Sequence, residues 1–310
     1  MKILITGGLG HIGSHFLQNI YKIKKVKEIY IIDNLLTNRY STLFNYKINN
    51  KKIFFLKVDL DLKDSLKKFK RVDIVLNLAS ITDAEGSLKI KNKIYKNNLG
   101  IFNNVLQYCK KNSSKLIHIS STSVYGEQKG LVNENCKNLR PKSPYAEIKL
   151  KEENILRNNT KKINFVTYRF GTIAGISKGM RFHTAVNKFS FNCFLNNPLP
   201  VWKTMLFKHR PYLSLTDAFK VLKFTIEKNF FKNSTYNILS ENLTVADLIK
   251  YFKMYKKKIM VKYVKSKLIN QYSYKVSKEK FNREGFSLNS KIASDIKATI
   301  NLFKNINNEM

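Results

Sequence analysis

The sequence contains few cysteines, the residues that cross-link small secreted domains, and lacks the long apolar runs that cross membranes. Its 310 residues include three cysteines, five prolines and one tryptophan. The three cysteines, Cys109, Cys136 and Cys193, are far apart in the sequence. Their number and spacing fit neither a disulfide framework nor a cysteine-based zinc site. No run of about eighteen apolar residues occurs, which argues against a membrane-spanning helix. The opening MKILITGGLG lacks the apolar core and cleavage site of a secretory signal, so we expect a cytoplasmic protein.

Acidic residues are also scarce. The chain has 21 Asp and Glu against 57 Lys and Arg, which gives a net charge of +36. Such a surplus is typical of nucleic-acid binders, yet only 8 of the basic residues are arginines, and arginine is the residue that reads bases and phosphates through its fork. The lysines are scattered among many Asn and Ile residues. We therefore interpret the charge as compositional drift over an ordinary fold, and expect no nucleic-acid partner.

The arrangement of the hydrophobic residues, 43% of the chain, predicts an α/β fold. Short apolar runs alternate with amphipathic stretches in the first half, as in a parallel sheet with crossover helices. The runs are almost continuous in Ile, Val, Leu and Phe, so both faces of the sheet are covered and we predict a doubly wound parallel sheet. The expected strands are Lys2–Thr6, Glu28–Asp33, Lys52–Asp59, Val72–Ala79, Lys115–Ser121 and Asn164–Phe170. The expected helices are Ile12–Ile23, Asp64–Phe69, Ser87–Lys111 and Ser143–Asn158.

The second half is less regular and predicts a smaller mixed α/β C-terminal lobe that grips the substrate. Residues 197–200 contain two prolines and break the pattern. The expected elements that follow are strands at Tyr212–Leu215, Thr235–Leu239 and Lys262–Lys265, and helices at Thr216–Asn229, from Thr244 onward and at Ser290–Phe303. We assign residues 1–171 to the first domain, with 206–230 returning to it, and residues 172–205 and 231–310 to the second lobe.

A glycine-rich turn, TGGLGHIG at residues 6–13, follows the first predicted strand and opens a helix. Gly7 allows the tight turn, Gly10 lets the backbone approach a pyrophosphate, and Gly13 lets the helix pack close to the sheet. The helix N-terminus offers free N–H groups and a partial positive charge to that pyrophosphate. Asp33 ends the second strand, where a carboxylate accepts ribose hydroxyls and repels a 2′-phosphate. The combination predicts NAD rather than NADP.

A second group of polar residues indicates proton transfer. Tyr145 and Lys149 are four apart on a predicted helix, so their side chains share one face. Ser121 ends a predicted strand, at the edge where open α/β sheets place their ligands. An adjacent ammonium favours the ionised phenol and lowers its pKa from the usual value of about 10. A serine hydroxyl can bridge the substrate oxygen and relay the proton.

Together these motifs resemble the extended short-chain dehydrogenase/reductases of the NAD-dependent nucleotide-sugar epimerase/dehydratase family, the UDP-glucose/galactose 4-epimerase type. The matching stretches run in family order over residues 3–217: TGGLGHIG, DNL, VDL, NLAS, NNLG, SSTSVYG, SPYAEIK and RPYLSLTD. The tail REGFSLNSKIASDI resembles the family's last helix region. The resemblance implies a Rossmann-type sheet, NAD as cofactor and a nucleoside-diphosphate sugar as substrate.

The resemblance also implies a role for individual residues. Tyr145 would be the catalytic base and acid, Lys149 its activator and a ligand of the nicotinamide ribose, and Ser121 the hydroxyl partner. The cofactor would contact glycine-turn, strand-end and helix residues, with Asp59 and Leu60 at the adenine and Phe170 at the nicotinamide. This set comprises Gly7, Gly10, Ile12, Gly13, Asp33, Asn34, Asp59, Leu60, Leu78, Ala79, Ser80, Asn97, Tyr145, Lys149 and Phe170. The family reaction oxidises a sugar hydroxyl to a ketone and, in epimerases, returns the same hydride to the other face.

Within the family, the residues after the catalytic serine separate the branches. Dehydratases carry acidic residues there, because eliminating water needs an extra acid/base pair. Thr122 and Ser123 occupy these positions and cannot supply a carboxyl proton, so we favour a C4 epimerase that supplies surface-glycan precursors. A 4-keto-sugar reductase and a dehydratase of the same family stay as alternatives. A catalytically lapsed NAD-binding or RNA-binding protein is the alternative of another class.

The resemblance names three substrate residues as well. Arg210 matches the family arginine that grips the substrate diphosphate in a bidentate way, and Asn187 is expected to hold the same diphosphate. Thr172 lies where the family's usual Asn after Arg169 has been replaced. Near the C-terminus Tyr272 stands where the family often has a second arginine, so phosphate binding would rely on Lys275 or be weaker.

The histidines and two of the expected helices bear on metal binding and on oligomeric state. The five histidines show no metal-ligand spacing, so we expect no metal, and His11 is expected to be a packed or solvent-facing imidazole. The family often dimerises through the helices expected at 87–111 and 143–158, which predicts a homodimer. The apolar residues of those helices, Ile101, Val105, Ile148 and Ile155, would suit an interface or a core face equally well.

Overall fold

The fold is built on a parallel sheet whose strands carry Ile, Val, Leu and Phe on both faces. The computed structural model describes residues 1–46, 50–82, 91–256, 258–264 and 273–306. The sheet strands are β1 (Lys2–Thr6), β2 (Glu28–Asp33), β3 (Lys52–Lys57), β4 (Ile74–Asn77), β5 (Lys115–Ser121), β7 (Phe165–Phe170) and β11 (Ser234–Ile238). They lie in the order β11-β7-β5-β4-β1-β2-β3 and all pair in parallel. The predicted doubly wound sheet is confirmed, and its order reverses at β1 and β4, where such sheets open a crevice at their carboxyl ends.

Helices cover both faces of this sheet. Helices α1 (His11–Asn19) and α5 (Leu215–Glu227) pack on one face, and α2 (Lys91–Asn112) and α3 (Pro144–Arg157) on the other. Alternate strand residues enter the two cores: Ile3 faces the first, Leu4 the second. Burying such a side chain contributes about 1.5–3 kcal/mol, so burial of the strand residues on both faces fixes the register of each strand.

Outside the large sheet, the described residues form smaller sheets and further helices. Strands β8 (Thr172–Ala174), β10 (Arg210–Ser214) and β12 (Glu241–Leu243) form one sheet; β9 (Leu199–Trp202) pairs with β13 (Val261–Val264), and β6 (Leu131–Val132) with β14 (Lys275–Val276). The helices are α4 (Ala185–Phe194), α6 (Val245–Tyr255), α7 (Glu279–Asn282) and α8 (Ile292–Asn301). The cap at Thr244 is present, since Thr244 and Asp247 bond each other's backbone N–H groups in a capping box.

Some expected elements differ from the observed ones. The helix expected at Asp64–Phe69 is wrong: Asp64 has a φ of 58°, and the segment forms consecutive turns, because left-handed backbone does not continue a right-handed helix. Helix α1 ends at Asn19 and tightens into a 3₁₀ turn at Ile20–Lys22. The expected strands at 52–59 and 72–79 are shorter, because their last residues leave the ladder and line a cleft. Residues 87–90 of the third expected helix lie outside the described residues.

One strand departs from the expected domain division. Strand β11 falls in segment 231–310, which we assigned to the second lobe, yet it pairs with β7 at the edge of the large sheet. That part of the assignment is corrected. Helix α5, in the segment expected to return to the first domain, packs with α1 in the core of that sheet. The remainder of the division stays a prediction.

A buried ion pair ties α3 to the strands that carry the predicted catalytic serine. Arg169 on β7 is 2% exposed and donates to both carboxylate oxygens of Glu153 on α3, with Nη2 to Oε2 at 2.7 Å and Nε to Oε1 at 3.0 Å. Ser120 of β5 donates to the same carboxylate at 2.5 Å. Arg169 also donates to the Tyr125 hydroxyl. These bonds satisfy charges that would be costly alone and lock the end of β5 against α3.

Replacing Glu153 by alanine should therefore be strongly destabilising, because the Arg169 guanidinium would stay buried without its carboxylate. We expect E153A to lower the free energy of unfolding by about 3–5 kcal/mol in urea denaturation. The control is E147A on the same helix, where the half-buried Glu147 accepts a bond from Tyr95 and no buried cation depends on it. We expect a loss of about 1 kcal/mol or less there. Similar losses for the two variants would contradict the importance of the buried pair.

Candidate active site

The glycine-rich turn is packed so closely that two of its glycines accept no side chain. Gly7 adopts a φ of 61°, and a Cβ at this position would lie 2.7 Å from the backbone of Ala79 on the neighbouring strand end. A Cβ on Gly13 would lie 2.4 Å from the carbonyl oxygen of Gly8. Helix α1 begins after Gly10 with no side chain capping its N-terminus. The turn therefore brings free N–H groups to the crevice between β1 and β4.

The Thr6 hydroxyl joins the two strand ends at this crevice. It donates to the Asn77 side chain at 2.6 Å and accepts from the backbone N–H groups of Leu78 and Ala79 at 3.2 Å. Asp33, at the end of β2, accepts from the Leu9 N–H at 3.2 Å through one oxygen and from the Leu35 N–H at 2.9 Å through the other. The carboxylate is thereby held at the wall of the crevice.

A cleft of about 370 Å³ runs over the glycine turn and past Asp33. It is large enough and shaped to take the adenosine and pyrophosphate part of a dinucleotide, with the carboxylate at the ribose end and N–H groups at the phosphate end. The sequence-predicted cofactor residues on its wall are Gly7, Gly10, Ile12, Gly13, Asp33, Asn34, Asp59, Leu60, Leu78, Ala79, Ser80 and Asn97. Only Tyr145, Lys149 and Phe170 of the predicted cofactor set lie elsewhere.

These three residues line a second cleft, of about 530 Å³, that continues from the first. Its wall includes Ser121 at the end of β5 and Tyr145 in the first turn of α3, together with Thr172 of β8 and Arg210 of β10. The two clefts share Ile12, Leu78, Ser80, Thr82, Ile173, Arg181 and His183. The structure therefore brings the predicted cofactor and catalytic residues onto one continuous groove.

The ends of β5 and α3 orient the predicted catalytic side chains. Ser121 caps the turn at Thr122–Tyr125, its Oγ accepting from the Ser123 N–H at 3.2 Å and the Ser123 hydroxyl at 2.8 Å. Ser143 caps α3, which puts Tyr145 and Lys149 on one face of the first turns. The Lys149 Nζ lies 5.8 Å from the centre of the Tyr145 ring. A hydroxyl, a phenol and an ammonium thus meet in one cleft.

The electrostatics of Tyr145 differ from the expectation. The neighbouring ammonium was expected to lower the pKa of the phenol. Burial instead raises the pKa of Tyr145 above its usual value, and Lys149 and Arg181 offset this only in part. The carboxylate of Glu152 also raises the pKa of Tyr145. The phenol therefore stays protonated at neutral pH until more positive charge reaches the groove.

The predicted substrate residues are only partly brought together. Arg210 and Thr172 line the second cleft, and the Arg210 guanidinium lies 5.3 Å from the centre of the Tyr274 ring. The expectation for Asn187 is wrong: this residue is 0% exposed, lines neither cleft, and donates to the carbonyl oxygen of Arg181 at 2.8 Å. Its helical position turns the amide inward, where it holds the loop before α4.

Near the C-terminus, Tyr274 rather than Lys275 reaches the cleft. Lys275 is exposed on β14, whose alternation turns successive side chains to opposite faces, so the expected phosphate contact is not present on this side. Tyr272 lies outside the described residues. Arg210 is therefore the cation that the sheet of β8, β10 and β12 contributes to the cleft.

Sequence reasoning missed the residues that connect the two clefts. Arg181 lies where the clefts meet, bonds the Thr82 hydroxyl, and acts electrostatically on both Tyr145 and His11. His183 lines both clefts as well. The segment around Arg181 is anchored to α1, since the Gly179 N–H donates to the Ser14 hydroxyl at 2.9 Å. No local pattern marks these residues, because the contacts join positions more than ninety residues apart.

His11 is a packed residue, as expected for one of the two roles considered. Its Nε2 lies 2.8 Å from the carbonyl oxygen of Gly175, and burial lowers its pKa to about 3, so the ring is neutral and donates to that oxygen.

Within the described part of the chain no cluster of three metal-ligating side chains occurs. None of the described helices combines the length and the apolar character needed to span a bilayer.

A groove with a glycine turn at one end and a serine, a tyrosine and a lysine at the other defines a dinucleotide-dependent enzyme of the short-chain type. The model of the NAD dependent epimerase/dehydratase family matches residues 3–238. This chain belongs to that family.

Relatives within the family carry different activities in their names. An uncharacterized UDP-glucose epimerase, YtcB, of Bacillus subtilis (strain 168) is 30% identical over 247 residues, covering 77% of this chain and 76% of YtcB. A dTDP-D-glucose 4,6-dehydratase of Dictyostelium discoideum is 30% identical over 277 residues, covering 80% of this chain and 61% of the dehydratase. The chain matches only 24% of the bifunctional protein GAL10 of Pachysolen tannophilus.

Solved structures show the same fold over the whole chain. The UDP-glucuronic acid 4-epimerase of Bacillus cereus, in complex with UDP-glucuronic acid and NAD, superposes with a TM-score of 0.85. It is 24% identical, and the match covers 99% of this chain and 100% of the epimerase. The agreement extends beyond residue 238, where the family match ends.

Adding a methyl group at Gly13 should disrupt the glycine turn, because the new Cβ would meet backbone that cannot move aside. We expect G13A to lose about 1–3 kcal/mol of stability and to bind NAD at least about tenfold more weakly in calorimetric titration. Gly130 also has a positive φ, of 80°, but open space around it. G130A should lower the free energy of unfolding by about 1–2 kcal/mol, because alanine disfavours a positive φ. It should leave NAD affinity unchanged. Equal affinity of G13A and the wild type would contradict the role of the turn.

Proposed function

We propose that this chain is an NAD-dependent epimerase that inverts C4 of a nucleoside-diphosphate sugar. The observation that carries the proposal is the continuity of the two clefts. A dinucleotide bound by its pyrophosphate at the glycine turn would extend toward the cleft that holds Ser121, Tyr145 and Lys149. A sugar in the second cleft would then be within reach of both the cofactor and the phenol, as hydride and proton transfer at one carbon require.

The residues present fit the cofactor. The close approach of Gly7 and Gly13 leaves backbone N–H groups open to a pyrophosphate, and the Asp33 carboxylate is placed for two ribose hydroxyls. Lys149 would bind the nicotinamide ribose, and Phe170 would face the nicotinamide. The cofactor, when bound, would supply a hydride acceptor and donor for C4 of the sugar and a positive charge that favours the ionised phenol.

Proton transfer in the proposed reaction belongs to Tyr145. Its phenolate oxygen takes the proton of the C4 hydroxyl as the carbon is oxidised, and gives it back after the ketone has turned over in the cleft. Lys149 lowers the free energy of ionising the phenol, because a nearby ammonium favours the charged form. Ser121 donates to or accepts from the same sugar oxygen and holds it within reach of the phenol.

The charge of the second cleft supports a nucleoside-diphosphate substrate. Lys149, Arg181 and Arg210 all line it, and no aspartate or glutamate is among the described residues on its wall. Arg210 would hold the diphosphate, with Thr172 near the sugar. Three cations facing one groove favour a ligand with several negative charges.

The same wall favours epimerisation over dehydration. Thr122 is buried and donates to the carbonyl oxygen of Phe170, and Ser123 donates to Ser121. Neither supplies a carboxyl group for elimination of water. The likeness to a dTDP-D-glucose 4,6-dehydratase supports dehydration as the second candidate, and a 4-keto-sugar reductase would use the same serine, tyrosine and lysine.

The setting we propose is the cytoplasm, where the product would supply surface-glycan precursors. We also propose the homodimer expected through α2 and α3. Ile101, Val105 and Ile148 are all buried within the chain's own core, and Ile155 packs against it. An interface on these helices would therefore use other side chains.

Nuclear magnetic resonance of sugar products should distinguish the candidates directly. We expect the protein, supplied with NAD and a panel of UDP- and dTDP-sugars in D₂O, to convert one sugar into its C4 epimer with no solvent deuterium at C4, because the abstracted hydride returns. A 4-keto-6-deoxy product with deuterium from the solvent would indicate the dehydratase. No turnover, with tight binding of labelled RNA at physiological salt, would support the lapsed enzyme instead.

Removing one hydroxyl should separate chemistry from binding. We expect Y145F to bind NAD as the wild type does and to lower kcat for sugar interconversion at least about 100-fold, because the proton acceptor is gone. Y263F is the matched control, since Tyr263 is an exposed tyrosine on β13. Undiminished turnover by Y145F would remove the phenol from the proposed mechanism.

A further inference from the structure

A second carboxylate of α3, next to Glu153, lies directly beneath the predicted catalytic lysine. Glu152 is 2% exposed, and its Oε2 accepts from Lys149 Nζ at 2.9 Å. Lys149 itself is 4% exposed. On the other side of the same oxygen, His118 Nε2 of β5 lies at 3.3 Å. Glu152 lines neither cleft, so it acts on the groove from beneath, through its bond to Lys149 and through its charge.

This arrangement solves a problem that burial creates for Lys149. An ammonium removed from water tends to lose its proton, and a neutral amine would not help to form a phenolate. The Glu152 carboxylate overcomes burial and raises the pKa of Lys149, and Lys149 in turn holds the pKa of Glu152 below its usual range. The pair is therefore charged at neutral pH.

The carboxylate has a second and opposite effect on the groove. It raises the pKa of Tyr145, because its negative charge opposes a phenolate nearby. The other groups that face this cluster are His118 of β5, whose pKa burial lowers so that the ring is neutral, Glu153 of α3, and Arg181 beside Tyr145. On the α2 side the ring of Phe102 lies against His118, 5.2 Å between centres. Arg169 of β7 is paired with Glu153 rather than Glu152.

We propose that Glu152 is a positioning residue for the proposed reaction: it fixes the Lys149 ammonium in its charged form at the floor of the groove and limits how strongly that charge favours the Tyr145 phenolate. The neutral His118 ring lies 3.3 Å from the same carboxylate oxygen. The inference rests on the proposed function for its kinetic consequence, whereas the coupling of Glu152 with Lys149 stands on the fold alone.

The coupling has a pH signature in stability. The pKa of Glu152 is lower in the folded chain than in the unfolded chain, where it is about 4.3. Its contribution to stability is therefore fully present above about pH 4.3 and is lost as the pH falls through the folded pKa. The pKa of Lys149 is higher in the folded chain than in the unfolded chain, where it is about 10.4. Its contribution to stability is therefore fully present below about pH 10.4 and is lost as the pH rises through the folded pKa. The stability difference between wild type and E152Q should therefore be greatest between these limits and shrink outside them.

A double-mutant cycle tests the coupling without any substrate. Urea unfolding of the full chain is measured for the wild type, E152Q, K149M and K149M/E152Q across the pH range. We expect E152Q to be less stable than the wild type, and K149M/E152Q to recover stability relative to K149M, because the double variant leaves no buried charge unpaired. The same loss from E152Q in both backgrounds, or failure of the double variant to recover stability, would overturn the coupling.

A pH profile tests the consequence for the reaction. With NAD present and UDP-glucose as the probe, kcat/KM is followed for the wild type, E152Q, E152D and E147Q. We expect E152Q to shift the profile toward lower pH by about one pH unit or more, because both Lys149 and Tyr145 then lose a proton more readily. E152D keeps the charge and should stay near the wild type, and E147Q should not shift.

The two proposals fail in different ways. A profile for E152Q that is lower in amplitude but not shifted would show a merely structural role and overturn the inference. Absence of turnover by the wild type with UDP-glucose at every pH would count against the proposed function with this sugar. In that case the double-mutant cycle still decides whether Glu152 sustains the charge on Lys149.

Discussion

The groove depends on one physical constraint: a cation must stay charged inside the protein, at the carboxyl edge of a buried sheet. Helix α3 meets it by carrying two neighbouring carboxylates, each with its own partner. Glu152 holds Lys149, and Glu153 holds Arg169. The first pair sustains the charge in the groove, and the second locks the strand ends against the helix that carries it. Removing either carboxylate leaves a buried cation unpaired, which costs far more than an exposed ion pair contributes.

The parts of the site that could be predicted from the sequence are those whose geometry is local. The glycine turn is one strand end and one helix start, so the spacing of Gly7, Gly10 and Gly13 fixes its shape within eight residues. Tyr145 and Lys149 share a helix face by their spacing alone. The strand-order reversal then places these segments at one crevice, which is why nearly all the predicted cofactor and catalytic residues line the continuous groove.

The parts that could not be predicted depend on tertiary contacts or on competing free energies. Asn187 was expected in the groove from its motif, but the register of α4 turns it toward the carbonyl of Arg181. Arg181 reaches the junction of the clefts through an anchor on α1. For Tyr145 the sequence supplies the neighbouring ammonium, yet the sign of the pKa shift depends on how deeply the phenol is buried, which only the packed structure determines.

The large positive charge of the chain has a different meaning at the surface and in the groove. At the surface the scattered lysines are screened by salt over about 10 Å and distinguish poorly between anions. In the second cleft three cations line a wall on which the described residues provide no carboxylate, and Glu152, which pairs with one of them, lies below the floor. Lys149 is buried and Arg181 and Arg210 are half-buried, so this charge discriminates between ligands by shape as well as by sign. A diphosphate joined to a sugar carries its charges at one end and its hydroxyls at the other. Under the proposed function, Arg210 would meet the charges, and Ser121 and Tyr145, which line the same cleft, would meet the hydroxyls.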